Sequence, residues 1–365
     1  MAWAEQAATV ITKHLKGAEP AIMQNQVFPA MLYKKGRIRY NCAGTDFDWP
    51  VRFRRRKGTP INDTEEVTLS RVQQHRRAKL DYKGFVISDL YTKLDGLANR
   101  SPESLTQMLS NNTESLIEDL KVDFGRQLLY NGDSAGNVGR ITGYNSIFKH
   151  AGTASVNPLV ADNNGSYAQL NLARQAYGGT WSDPTQWPLG GYGTEDYDFW
   201  TPLILNWSSS SWTNGALWAN NCLEVLGYLT TVQLRHEAKD ERIDLIMLDL
   251  QMFNDFKAAL RLKERINISN AQSDVVQLGF TEAVEFDGTS VLPSVLPQPG
   301  VTPSYASGFG INFGTIELMS MQSQLFVADA EPVSAIRRTG AITADFMGNL
   351  RVRRPRTQAK LEKIS

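Results

Sequence analysis

One long amphipathic segment, residues 102–130, most constrains how this chain can fold. Its apolar side chains recur at spacings of three and four residues, the period of an α-helix with one buried face. Pro102 suits the first helical position, and Asn131-Gly132 favours a stop after the last turn. At about 1.5 Å per residue, the segment predicts a rod roughly 40 Å long. The apolar positions are Leu105, Met108, Leu109, Leu116, Ile117, Leu120, Phe124, Leu128 and Leu129.

The outer face of this predicted helix is acidic, with carboxylates at Glu114, Glu118, Asp119 and Asp123. The preceding segment is basic, since residues 52–79 hold nine lysines and arginines against three carboxylates. The two clusters predict ion pairs between neighbouring copies of the chain. Each exposed pair contributes about 0–1 kcal/mol, so any gain must come from many copies. The cations assigned to this contact are Arg52, Arg54, Arg55, Arg56, Lys57, Arg76 and Arg77.

The basic segment belongs to a predicted two-stranded hairpin over residues 46–85. Residues 51–54 and 66–72 alternate apolar and polar side chains, as strands do, with turn residues between them. Such a charged hairpin has too little apolar surface to be stable alone. We therefore expect it to lie on something acidic. Nucleic-acid binding and a solvated hairpin tip are the alternative interpretations of its basic cluster.

The rest of the chain reads as a mixture of helices and strands. Residues 243–248 are apolar except for Asp244, too apolar for a surface strand, and they predict a central strand. The C-terminal residues predict an edge strand that stops at Pro355 and is followed by a basic tail. The remaining predictions are an arm over 1–45 with a helix at 1–15, helices over 160–176, 213–237 and 250–265, short strands over 275–327, and closing strands over 341–354.

The amino-acid composition limits the classes of protein to which this chain can belong. Lysines and arginines number 38, as do aspartates and glutamates, so the formal net charge is zero. This balance argues against a dedicated nucleic-acid binder and is compatible with self-association. Cys42 and Cys222 predict two free, buried thiols in a reducing compartment. No apolar run reaches the roughly 18 residues of a membrane span, and the N-terminus lacks the pattern of a signal peptide.

Catalytic, cofactor and metal signatures are weak, and we expect none of these sites. The sequence has no Gly-x-Ser-x-Gly elbow and no Walker sequence. The glycines of residues 308–314 favour core packing over a nucleotide loop. Asp196 and Asp198 lack the other positions of a calcium loop, which favours a solvated loop. No metal-ligand spacing joins the histidines, His14, His75, His150 and His236.

Six tryptophans fall within 38 residues, which allows two interpretations. Aromatic faces can stack on a sugar, so the cluster could form a carbohydrate-binding platform. Tryptophan is also a usual anchor of a core or a protein interface, and this structural interpretation is favoured. The residues are Trp181, Trp187, Trp200, Trp207, Trp212 and Trp218.

Taken in order, these segments resemble the Hong Kong 97 capsid fold of tailed-phage major capsid proteins. The resemblance spans about residues 40–364 and depends on the order of motifs that are individually only moderately specific. The segments that carry it are 123–132 with 141–143, 198–203, 214–215, 243–248, 309–318 and 348–364.

The resemblance implies an α+β fold with a defined division of the chain. Residues 1–45 would be an N-terminal arm and 46–85 an extended β-hairpin loop that lies over an adjacent subunit. Residues 86–158 and 320–365 would form a peripheral domain around a spine helix at 102–130. Residues 159–319 would form an axial domain.

The implied function is structural. Copies would assemble into pentamers and hexamers of an icosahedral phage head that encloses double-stranded DNA without reading its sequence. Because the short arm leaves no room for a fused scaffolding domain, a separate scaffolding protein is expected, with the arm itself as the alternative scaffold. A portal protein and a decoration protein are further implied partners, with assembly in the cytoplasm of a bacterial host.

Three alternatives remain open at this stage. An encapsulin-like compartment shares the fold but encloses enzymes. A tryptophan-rich carbohydrate-binding or hydrolytic protein would bind sugar through residues such as Trp200 or Trp207. A DNA-binding protein would show steep salt dependence as a monomer.

Overall fold

The computed structural model describes most of the chain. The described residues are 20–54, 56, 58, 60–61, 71–94, 102–133, 139–154, 157–188, 190–235, 241–262, 274–280, 282–294, 307–331 and 339–364. The predicted helix at 1–15 and residues 66–70 of the predicted hairpin lie outside them.

The helices are α1 (Val27–Lys34), α2 (Pro102–Leu129), α3 (Trp218–Gln233), α4 (Leu250–Leu262) and α5 (Asp274–Gln277). The strands are β1 (Ile38–Arg39), β2 (Asp46–Arg52), β3 (His75–Asp81), β4 (Lys83–Thr92), β5 (His150–Ala154), β6 (Ala161–Asn163), β7 (Ser166–Tyr167), β8 (Leu170–Asn171), β9 (Leu203–Asn206), β10 (Leu245–Leu248), β11 (Val284–Phe286), β12 (Thr289–Pro293), β13 (Gly308–Ile311), β14 (Ile316–Ser320), β15 (Val327–Glu331), β16 (Thr339–Val352) and β17 (Ala359–Glu362).

A first unit, here called the peripheral unit, packs α2 against a five-stranded sheet. The sheet is built on β16, which pairs with β4, β14 and β15, while β1 pairs with β14. Phe124 of α2 is buried against Phe326 and Phe346, at ring-centroid distances of 4.9 and 5.1 Å. The helix predicted over 102–130 is therefore confirmed, because its apolar stripe is long enough to cover one face of this sheet.

A second unit, here called the axial unit, holds a six-stranded sheet in the order β11-β12-β10-β13-β17-β9, together with α3, α4 and α5. All four residues of β10 are buried, which confirms the central strand predicted over 243–248. In the adjacent β13, a Cβ added at Gly310 would lie 2.8 Å from Ile243 Cδ1. The glycine therefore serves close packing between strands, as the sequence favoured.

The helix predicted over 160–176 is wrong. This stretch instead forms β6, β7 and β8, which are strands of two or three residues. Gly165, Ala168 and Gln169 have backbone φ angles of +103°, +49° and +63°, outside the right-handed helical region. Tight turns thus separate apolar residues at spacings that imitate a helical period.

The helices predicted over 213–237 and 250–265 are present as α3 and α4, and residues 236–237 and 263–265 of these predictions lie outside the described residues. Leu217, within the first prediction, lies just before α3 and is exposed. Neither Cys42 nor Cys222 forms a disulfide, and only Cys222 is fully buried, although both were predicted to be buried.

The basic residues of the chain end are not an exposed tail. In β16, residues 341–345 have partners on both sides, β4 and β15, whereas residues 349–352, in the predicted edge strand, pair with β14. β17 then joins the six-stranded sheet between β13 and β9, so this part of residues 320–365 pairs with the axial unit. Arg356 and Lys360 are buried there, 2.6 Å from Glu241 and 3.0 Å from Glu362.

The predicted arm is also partly built into the core. Residues 27–34 form α1, in which Val27, Phe28 and Met31 are buried. A helix that is apolar on nearly every side must be enclosed to be stable. This part of the predicted arm is therefore ordered by packing within its own chain.

Candidate functional site

The acidic face predicted on α2 exists and points to solvent. Glu114, Glu118, Asp119 and Asp123 are all exposed, while Leu116, Leu120 and Phe124 on the other side are buried. No carboxylate of the four makes an ion pair with another described residue. These four carboxylates along α2 are therefore available to form ion pairs with basic side chains of another molecule.

The base of the hairpin has more apolar surface than the sequence analysis expected. β2 pairs with β3 in antiparallel register, and one face of β2 is buried. Trp49 lies 6.5 Å from Trp200, and Phe53 lies 5.6 Å from Phe199, as ring-centroid distances. The base thus packs on aromatic side chains of its own chain rather than on an acidic surface, and the earlier expectation is wrong for this part.

Strand boundaries in the hairpin also differ from those predicted. Residues 71–72, the described end of the strand predicted over 66–72, precede β3, which begins at His75. Phe53 N donates to Gln74 O at 3.0 Å and closes the described part of the hairpin. Residues 83–85, the last of the predicted hairpin, belong to β4, which pairs with β16 instead.

Arg54 already has a carboxylate partner in its own chain. Its Nε and Nη2 donate to Asp196 Oδ2 at 2.9 and 2.7 Å. Asp196 is buried, which contradicts the solvated loop predicted for it. Arg54 therefore fixes the hairpin base to the segment before β9. Its contact with a neighbouring copy stays a prediction.

The other predicted cations divide into two groups. Arg76 stacks on Tyr177, with 4.5 Å between its Cζ and the ring centroid, and Arg77 Nε lies 3.0 Å from Asp48 Oδ2. Both remain exposed. Arg52 and Arg56 are exposed as well, whereas Arg55 and Lys57 lie outside the described residues. A contact of these cations with a neighbour stays a prediction.

Asp198 is the more deeply buried of the two aspartates that the sequence placed in a solvated loop. Arg235 Nε donates to its Oδ2 at 2.8 Å, and both side chains are at most 1% exposed. Arg235 Nη2 also donates to Thr201 O at 3.3 Å. The apolar neighbours Phe199 and Trp200 were the available sign that this segment is not a surface loop.

Glu317 is a second buried carboxylate, and the sequence analysis missed it. Its side chain is 2% exposed and lies 2.9 Å from Arg39 Nη2 and 3.7 Å from Arg353 Nη1. Arg351 Nη2 also donates to it. Burial raises the pKa of Glu317, but the three guanidinium groups outweigh burial and lower it overall.

Acid should therefore weaken the fold through Glu317. Its folded pKa lies below the ordinary value of 4.5, so its contribution is complete above about pH 4.5 and is lost as the pH falls through the lowered value. We expect Glu317→Gln to lower the free energy of unfolding by about 1–3 kcal/mol at pH 7. Urea denaturation at pH 7 and at about pH 3 measures the difference from the native chain. An equal difference at both pH values would contradict this account.

The tryptophan cluster is structural. Trp187, Trp200, Trp207, Trp212 and Trp218 are buried, and Trp181 is half-buried. Two of the indoles are further fixed by hydrogen bonds to backbone carbonyls, at 2.8 Å from Trp212 Nε1 to Asn206 O and 2.9 Å from Trp218 Nε1 to Met252 O. These rings cannot form an exposed platform for a sugar.

The described part of the chain contains no cluster of three histidine, cysteine or acidic side chains that could hold a metal ion. His75 is exposed, and His150 Nε2 lies 3.2 Å from Glu362 Oε2. None of the described helices is both long and apolar enough to cross a membrane.

Comparison with known proteins identifies the fold. No family model matches the chain, and a search of curated proteins finds no match. Among solved structures, the chain is similar to the cyanophage A-1(L) capsid, with a TM-score of 0.53, 12% identity and 90% of each chain covered. It is also similar to the capsid of the native GTA particle, with a TM-score of 0.52 and 13% identity over 92% of this chain and 90% of that chain. The α+β capsid fold predicted from the sequence is confirmed.

Proposed function

We propose that this chain is the major capsid protein of a tailed phage. Copies would assemble into pentamers and hexamers of an icosahedral shell that encloses double-stranded DNA. The observation that carries the proposal is the shared fold, which extends over 90% of this chain and 90% of a phage capsid chain. Because the shared fold covers this much of the chain, few residues remain that could form an additional catalytic domain.

The exposed charges support a role in assembly. The acidic face of α2, formed by Glu114, Glu118, Asp119 and Asp123, is rigid and has no cationic partner among the described residues. Arg52, Arg56, Arg76 and Arg77 are exposed on a hairpin whose base is fixed by Arg54 and by aromatic packing. These cations are therefore available to a neighbouring copy, whose α2 is a suitable recipient.

The remaining partners follow from the same proposal. A separate scaffolding protein would guide shell size, a portal would occupy one vertex, and a decoration protein would bind the outer surface. DNA would be enclosed without sequence recognition, which agrees with a formal net charge of zero. The virion would be the final location, after assembly in the host cytoplasm.

The test is to express the full chain and to image it by negative-stain electron microscopy. We expect closed shells, or rings of five or six copies. Co-expression with a scaffolding protein, chosen from the neighbouring genes, is the second arm if the chain alone gives no particles. A chain that stays monomeric in both arms would overturn the proposal. Shells that enclose an enzyme instead of DNA would favour a cellular compartment.

A further inference from the structure

A short N-terminal segment, residues 26–39, contacts both units of the molecule. It contains α1 and β1 and lies between the spine helix α2, the peripheral sheet and the axial unit. We infer that this segment is a strap that fixes the angle between the peripheral and axial units, and that it releases first at its axial end. Four sets of contacts carry the inference.

The start of the strap is bonded to α2. Gln26 Nε2 donates to Val122 O at 2.9 Å. The neighbouring helix position is Gly125, where an added Cβ would lie 2.2 Å from Gln26 Oε1. The absence of a side chain at Gly125 therefore lets the strap lie directly against the backbone of α2.

The end of the strap is part of the peripheral sheet. β1 pairs in parallel with β14, and Leu318 N donates to Arg37 O at 2.8 Å. Arg39 Nη2 lies 2.9 Å from the buried carboxylate of Glu317. Backbone pairing and a buried charge together make this attachment resistant to local opening.

Between these two attachments the strap contacts the axial unit through charged side chains. Lys34 Nζ lies 3.1 Å from Asp274 Oδ1 and donates to Gln277 Oε1 at 2.9 Å, which joins α1 to α5. Lys35 Nζ lies 3.3 Å from Asp244 Oδ1, just before β10. Both lysines are about one-quarter exposed and their carboxylate partners are more exposed, so water and salt screen these pairs. Arg39 is exposed as well, but the backbone pairing of β1 with β14 does not depend on charge.

The middle of the strap supplies an apolar pivot. Phe28 is fully buried, and its ring centroid is 5.7 Å from that of Tyr144 and 5.8 Å from that of Phe313. Such a buried aromatic contact resists separation, because the interior is close-packed. Loss of the Lys34 and Lys35 pairs would therefore loosen the axial end of the strap while Phe28 and the peripheral attachments hold.

In a shell, an adjustable strap would let one chain fit different surroundings. Only this part of the inference rests on the proposed function. Identical chains in rings of five and of six need slightly different angles between neighbouring parts. A strap held by screened ion pairs at one end can supply this adjustment without unfolding either unit. Its ionic end would also make the angle sensitive to salt.

The experiment uses the free full-length chain, so its result does not depend on shell formation. Spin labels are attached to cysteines introduced at Ser88 in β4 and at Asp287 in the axial unit, with Cys42 and Cys222 replaced by serine. We expect Lys34→Met with Lys35→Met to broaden the distance distribution between the labels. Hydrogen exchange of residues 274–280 should accelerate by about fivefold to tenfold.

Lys257→Met is the matched control. Lys257 also makes a half-exposed pair, 2.6 Å from Glu282, but both residues lie within the axial unit. This variant should leave the label distances unchanged. In addition, Lys34→Asp should broaden the distribution, and Lys34→Asp combined with Asp274→Lys should narrow it again. Distributions that stay the same in the Lys34 and Lys35 variants, or that change equally in the control, would overturn the strap.

Discussion

Replacing the four exposed carboxylates of α2 with lysine should abolish shell formation while leaving the fold intact. The substitutions are Glu114→Lys, Glu118→Lys, Asp119→Lys and Asp123→Lys. None of the four carboxylates has a cationic partner among the described residues, so their reversal removes no ion pair within that part of the chain. In a shell, each α2 would then repel the basic cluster of its neighbour, and the repulsion is repeated at every copy. Electron microscopy counts the particles, and circular dichroism with thermal melting checks the fold.

Compensation separates a specific contact from a general effect of charge. Combining the four lysines with Arg55→Glu, Arg56→Glu and Lys57→Glu should restore particles, because the attraction returns with opposite signs. As a control, Asp287→Lys reverses an exposed carboxylate on the axial unit and should leave assembly unchanged. Particles at native yield from the fourfold variant, at physiological salt, would show that α2 is not the recipient of the basic cluster.

The parts of the fold that the sequence predicted best are those dictated by one continuous pattern. α2 has an apolar stripe that persists over 28 residues, and β10 lies in an unbroken apolar run. Each pattern is carried by several residues, so one residue that departs from it does not obscure the prediction. The acidic face of α2 was predictable for the same reason, since the helical period alone decides which carboxylates share a face.

Short elements were not predictable in this way. In residues 160–176, apolar side chains at helical spacing belong to strands of two or three residues separated by left-handed turns. The apolar packing of the hairpin base was not predicted, because the prediction depended on the charged residues of the hairpin and not on its alternation of apolar and polar side chains. Phe47, Trp49, Val51 and Phe53 occupy every second position and are all buried.

Buried ion pairs lie beyond what sequence patterns can reveal. Arg54 is 142 residues from Asp196, and Arg235 is 37 residues from Asp198. Such partners meet only after the sheets have formed, so no local spacing marks them. A charged residue among aromatic neighbours, as in residues 197–200, is the one local hint that a carboxylate is enclosed.

The pair of Asp198 and Arg235 should therefore be the most sensitive single contact in the axial unit. Asp198→Ala leaves a buried guanidinium without its carboxylate, which typically costs about 3–5 kcal/mol. This loss is a large part of the roughly 5–15 kcal/mol by which a domain is stable. Urea denaturation of the full chain, followed by tryptophan fluorescence, measures the change in the free energy of unfolding.

Two further variants decide whether the loss comes from the ion pair. Asp48→Ala breaks the exposed pair with Arg77 and should cost at most about 1 kcal/mol. Asp198→Ala combined with Arg235→Met removes both charges and should be more stable than Asp198→Ala alone, because no guanidinium stays buried without a partner. The contrary result is a double variant whose loss in free energy of unfolding equals the sum of the losses in Asp198→Ala and Arg235→Met measured separately. The two side chains would then act independently. The cost would then reflect lost packing around Trp187, whose ring lies 5.8 Å from the Arg235 guanidinium, rather than an unpaired charge.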